Sequence, residues 1–172
     1  MQLPNNEYRV PFEEIEARMR PGNFSQKGFL GVGESLREVL EVDARTLEEL
    51  GITAQVLANR LGDLLEITVD SGKTRVGPYM IRVQRYKGPQ ICPFAPEPFE
   101  NPCPAGEVIR FASIDWSIKN TRNHVQLSGP GFIVHLIGAH SFFEGKESPY
   151  RVDPRCLAKL LDFENIPDSC RR

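Results

Sequence analysis

Four side chains in this sequence have types and spacing suited to chemistry: Cys92, Cys103, His135 and His140. Cys92 and Cys103 flank Pro93-Phe94-Ala95-Pro96-Glu97-Pro98-Phe99-Glu100-Asn101-Pro102. The four prolines of that segment stiffen the backbone and exclude an ordinary helix or central strand, so such a loop needs an anchor. Downstream, His135-Leu136-Ile137-Gly138-Ala139-His140 has the H-x4-H form. This lies within the histidine spacing common at structural zinc sites. Thiolate and imidazole are borderline-soft donors, and two of each would complete a tetrahedral shell for Zn2+.

The spacing also sets a geometric demand. The cysteines are ten residues apart instead of forming a tight two- to four-residue knuckle. On one regular helix His135 and His140 would point about 140° apart, and on a strand they would lie on opposite faces. A shared ion therefore predicts a turn between them, at Gly138. The bland reading is that the cysteines are small buried hydrophobes and the histidines hydrogen-bonded core or surface residues. An open site is the alternative, in which His135, His140 and Glu144 offer a two-histidine, one-carboxylate face to a catalytic metal. Asp115 and Glu107 are further carboxylates for it, and the bland alternative for Glu144 is a surface residue beside Gly145-Lys146.

The other cysteines and histidine separate from this group. Cys156 is expected in the core and Cys170 exposed near the C-terminus. His124 shares a strand face with Gln126 and Ser128 and is read as solvent-facing. With no apolar leader at the start of the sequence, a reducing cytoplasmic compartment is expected, where thiols and metal ligands prevail over disulfides.

The elements that must position these residues follow from hydrophobic periodicity. Phe12, Ile15 and Met19 mark a short amphipathic helix that stops at Pro21-Gly22. Pro21 to Gly33 reads as a loop. Its Gly28-Phe29-Leu30-Gly31-Val32-Gly33 stretch is either a partly apolar lid or contact surface, or a plain connector. Leu36, Val39 and Leu40 belong to a second helix. Asp43 is placed to cap a third, with Leu47 and Leu50, that Gly51 ends. Thr53 caps the next, whose stripe is Val56, Leu57, Leu61, Leu64 and Leu65; Gly62 weakens it.

From Ile67 the period becomes two. Ile67-Thr68-Val69, a turn at Asp70-Ser71-Gly72-Lys73, and the alternating Tyr79, Ile81 and Val83 predict one hairpin. Ile114, Trp116 and Ile118, a turn over Lys119 to Asn123, and a strand from His124 to Ser128 predict another. Asp153-Pro154 is an N-cap followed by proline at the first helical position, opening a final helix with Cys156, Leu157, Leu160 and Leu161 on its apolar face. The expected class is α+β, with N-terminal helices, an antiparallel sheet of hairpins and a C-terminal helix. We read one domain over 1–172, in which 1–66 and 67–172 could be helical and sheet subdomains; 66 helical residues alone would be marginal.

Composition limits the functions. The 172 residues are 40% hydrophobic and 26% charged, as in a globular domain. No run reaches the ~18 apolar residues of a membrane helix. Lys plus Arg number 21 against 23 Asp plus Glu, a net charge of −2, so no general attraction to nucleic acid is expected. Residues 1–66 hold 7 cations and 12 anions, and residues 67–172 hold 14 and 11. This argues against a helix-turn-helix DNA binder at Gly51 to Gly62, where Arg60 is the lone cation.

Gly72-Lys73-Thr74 fails as a Walker A loop, because Ile67 stands where its first glycine must be. There is no G-x-S-x-G elbow for a nucleophilic serine. The reading in best accord with these residues is a zinc-stabilised binding or scaffolding module for a protein or small-molecule partner. Phe94, Phe99, Phe142, Phe143 and Tyr150 are its candidate contacts. The metal-dependent enzyme and the DNA-binding regulator are the second and third readings.

Overall fold

The computed structural model describes residues 10–86, 88, 90–97, 103 and 111–163. Three helices come first: α1 (Phe12–Met19), α2 (Leu36–Leu50) and α3 (Ala54–Thr68). Strands β1 (Lys73–Val76), β2 (Tyr79–Arg85), β3 (Ile114–Asn120) and β4 (Gln126–Pro130) follow, then α4 (Ile133–His140) and α5 (Pro154–Leu160). The sheet is antiparallel throughout, in the order β1-β2-β3-β4. This is the α+β arrangement expected from the sequence.

Helix α1 buries Ile15 and Met19. It is closed by the amides of Phe29 and Leu30, which both donate to the Met19 carbonyl at 2.8 and 3.2 Å. The loop before α2 is therefore a connector held at Met19: Phe29 and Leu30 are in the core, while Val32 projects, 81% exposed.

Leu36–Leu50 is one helix, where two were expected. Ser35 is its N-cap, accepting from the Glu38 amide, and Gly51 closes it in the left-handed region at φ 64°. Asp43 caps nothing. It lies 1% exposed inside α2, paired with Arg151 through both oxygens at 2.6 and 3.1 Å. A buried counter-ion 108 residues away gives it a partner that local sequence does not reveal.

Helix α3 starts at Thr53, whose Oγ1 accepts from the Val56 amide at 3.3 Å. It runs through Ile67 and Thr68 instead of yielding to a strand. Thr68 is buried, and its hydroxyl donates to the Leu64 carbonyl at 3.0 Å, so burial overrides the β preference of this β-branched trio. Val56, expected on the apolar stripe, is 44% exposed; Leu57, Leu61, Leu64 and Leu65 are buried. The first hairpin is accordingly later, with β1 turning into β2 at Gly77-Pro78 and Lys73 opposite Arg82.

One face of the sheet packs under α3 and α5, burying Tyr79, Ile81, Ile114, Trp116 and Ile118 in a single cluster with the leucines of α3 and α5. Trp116 Nε1 donates to the Pro130 carbonyl. Asp153 caps α5 as expected, accepting from the Arg155 and Cys156 amides at 2.9 and 3.2 Å. Cys156 is half-buried and is not a free thiol. His124 is exposed, as read, but sits in the β3–β4 turn at φ 62° and not on a strand. Among the described residues, no helix is long and apolar enough to cross a membrane.

Candidate metal centre

Helix α4 presents both histidines. Gly131 makes the sharp entry from β4 possible, since a Cβ there would stand 2.2 Å from the Phe111 carbonyl oxygen. The helix then crosses α3 closely at Gly138, where a Cβ would lie 3.2 Å from the Ala58 Cβ. The turn expected at Gly138 is absent: α4 is helical to His140 and ends at Ser141, in the left-handed region at φ 52°. Gly138 serves helix packing instead. His140 occupies the last helical position, and its ring meets that of His135 edge-on, with centroids 5.1 Å apart.

The cysteines come to this helix end from the proline-rich segment. The Cys92 turn is closed by the Ala95 amide, which donates to the Cys92 carbonyl at 3.2 Å. The amides of Phe94 and Ala95 also bond the Cys92 sulfur, favouring its thiolate. Helix α1 holds the same turn from outside: Arg18 Nη1 donates to the carbonyls of Pro93 at 3.2 Å and Ala95 at 2.6 Å. Phe94 stacks on the His140 ring at 4.1 Å, nearly parallel, and meets Phe142 edge-on at 5.7 Å. The structure thus puts Phe94, Phe142 and Phe143 in the core, not on a contact surface. Tyr150 is half-buried, and Phe99 lies outside the described residues.

Each of Cys92, Cys103, His135 and His140 offers one ligand atom, and all four atoms lie within 4.8 Å of one another. His140 Nε2 is 3.3 Å from Cys92 Sγ and 3.5 Å from Cys103 Sγ. A tetrahedral ion with bonds of about 2.3 Å to sulfur and 2.0–2.1 Å to nitrogen sets sulfur and nitrogen about 3.6 Å apart. The two spacings from His140 are close to that value. His135 Nε2 is the one buried side-chain nitrogen or oxygen among the described residues that has no hydrogen-bond partner. Such an atom is costly unless something accepts its lone pair or proton.

The electrostatics are those of an anionic, crowded pocket. Hydrogen bonding from the Cys92 thiol, supported by the adjacent His140, holds Cys103 well below the usual thiol range. Cys92 is raised by that same bond and by burial. Burial lowers His140, opposed by the adjacent Cys103, so its imidazole is neutral and has a lone pair to donate. Two sulfurs and two imidazoles gathered in a largely buried space form a cation's donor set.

Glu144 is not part of this group. It is 1% exposed, with Oε2 at 2.5 Å from the Ser148 hydroxyl, and burial raises its pKa to about 8. Asp115 lies on the sheet and Glu107 outside the described residues, as does Cys170. The helix-turn-helix candidate offers no basic face: outward-facing residues of α3 include Asp63 and Glu66, and Arg60 sits over the Tyr79 ring at 5.8 Å. Sequence reasoning missed Arg18, and no signal for it exists in the sequence, because its acceptors are backbone carbonyls 75 and 77 residues away.

No protein-family model, curated protein or solved structure matches this chain.

Proposed function

We propose that this chain is a binding module whose proline-rich segment is fastened to α4 by a structural Zn2+ held by Cys92, Cys103, His135 and His140. The observation that carries this reading is the convergence of the four ligand atoms within 4.8 Å around an otherwise unpartnered His135 Nε2. Two sulfurs and two imidazole nitrogens select zinc over oxygen-preferring ions such as Mg2+ or Ca2+. Four protein donors make a closed shell, the form of structural zinc, whereas a catalytic ion keeps a position for water or substrate. A hydrolytic reading through His135, His140 and Glu144 lacks its carboxylate, which is engaged with Ser148. The role of the ion is then mechanical. It would neutralise the thiolates, satisfy His135 and tie the Cys92 turn to the end of α4.

Elemental analysis of untagged protein purified without added metal tests this. About one zinc per chain is expected, as one closed shell requires. It should be lost from Cys92→Ser and from His140→Ala together with thermal stability. Zinc retained by Cys92→Ser but lost from His140→Ala would replace the closed shell with an open histidine site. A metal-free wild type would overturn the reading.

A further inference from the structure

The geometry points to the open face of the sheet as the docking surface of the proposed binding module, with an extended acidic peptide segment as its partner. This inference rests on the binding-module reading but not on the metal. Strand alternation leaves Lys73 and Arg75 of β1, Met80 and Arg82 of β2 and Lys119 of β3 on the face opposite Ile81, Trp116 and Ile118. All five are exposed. Among the described residues no helix covers them, and Lys73, Arg75, Arg82 and Lys119 form no ion pair. The face is concave, with shallow cavities of about 520 and 600 Å³ that share Lys73, Arg82 and Ser117.

The register makes a pattern of these residues. Lys73 stands opposite Arg82, and Arg75 opposite Met80, which in turn stands opposite Lys119. Four cations therefore surround a 43%-exposed methionine. The acid on this face, Asp115, is half-buried at the far end and hydrogen-bonded to Tyr86. Lys73 and Arg75 are two residues apart on one strand, about 6.6–6.8 Å, the spacing of alternate side chains in any extended peptide. A segment with alternating carboxylates and one apolar residue would match the cations and cover Met80.

Charge and composition favour a peptide over nucleic acid. The net charge of −2 gives the chain no general attraction for a long phosphate backbone. The one exposed ring near this face among the described residues, Tyr86, stands at its far end away from the cations, and sequence-tolerant binding of single strands depends on rings interleaved with them.

The test is fluorescence anisotropy of the full chain against a fluorescein-labelled peptide of Glu-Glu-Leu-Glu repeats, with labelled oligothymidylate of equal charge as the competing ligand. The peptide should bind and weaken by about tenfold between low and physiological salt. Arg82→Glu and Lys119→Glu should each weaken it by about tenfold or more while leaving melting temperature and zinc content unchanged. No peptide binding at low salt would overturn the proposal, and so would binding indifferent to Arg82→Glu. Equal or tighter binding of oligothymidylate would reassign the face to nucleic acid. Dimerisation in sedimentation that Arg82→Glu abolishes would reassign it to a second copy of this chain. Zinc measured on the same samples separates the two readings, because peptide binding by a metal-free wild type would remove the structural zinc and leave this surface standing.

Discussion

Two buried polar clusters lie in this protein, and they are built on opposite principles. In one, Arg151 bonds both oxygens of Asp43 and the Glu144 carbonyl, while the Glu144 carboxyl meets the Ser148 hydroxyl. Donors and acceptors of both signs are present, and none of its buried side-chain nitrogens or oxygens is unpartnered. In the other, Cys92, Cys103, His135 and His140 bring four potential lone-pair donors together, with one buried nitrogen left without a partner. The first cluster closes on itself. On the proposed reading the second is completed by a cation, and that is the difference between the two.

The largest effect that would sharpen this contrast is metal removal. A strong chelator should lower stability by several kcal/mol and the melting temperature by roughly 10–20 °C, because binding energy at such a site is folding energy. Calorimetry with and without chelator reads it, and an unchanged melting curve would put the two clusters in one class.

Arg151→Met comes next. Leaving Asp43 buried without its counter-ion should cost about 3–5 kcal/mol in urea unfolding. Metal content should stay at the wild-type value, since Arg151 serves only the self-contained cluster. Loss of metal along with stability would show that the clusters are one coupled unit.

A smaller effect belongs to Glu144. Its folded pKa of about 8 stands above the usual 4.5, so the folded state holds the proton more tightly than the unfolded chain. Its contribution to stability is fully present below the unfolded value and is lost as pH rises towards the folded one. Wild type should therefore lose a few kcal/mol more than Glu144→Gln between about pH 5 and pH 9. Parallel urea midpoints for the two proteins across that range would refute the assignment.

The smallest belongs to Arg18. Arg18→Met removes two hydrogen bonds to the Cys92 turn and should cost about 1–3 kcal/mol of stability, with several-fold weaker metal binding in a competition assay. A stability loss with unchanged metal affinity would show that α1 braces the fold but not the site.

Much of this was legible in the sequence, and the failures have physical causes. Thr53, Gly51 and Asp153 are cap residues whose role is fixed within four residues, so the starts of α3 and α5 and the end of α2 could be read directly. Ile67-Thr68-Val69 misled because β preference is a weak term beside burial of Thr68 and Val69 at the end of α3. Asp43 misled because an acid among apolar residues resembles a cap until its distant arginine is known. The four ligand candidates could be named from residue type and spacing, but not how the histidines meet. That depended on α4 ending at His140 and on Gly138 admitting Ala58, both settled by tertiary packing.

The bond from Arg18 to the carbonyl of Ala95 has a consequence for synthesis. Its two ends are 77 residues apart. At the usual ~5–20 residues per second of translation, α1 emerges roughly 4–15 s before the turn it clasps. During that interval Arg18 can meet only its near neighbours in sequence, Glu14 and the Phe24 ring. Helix α1 is thus made well before the turn on which its Arg18 closes.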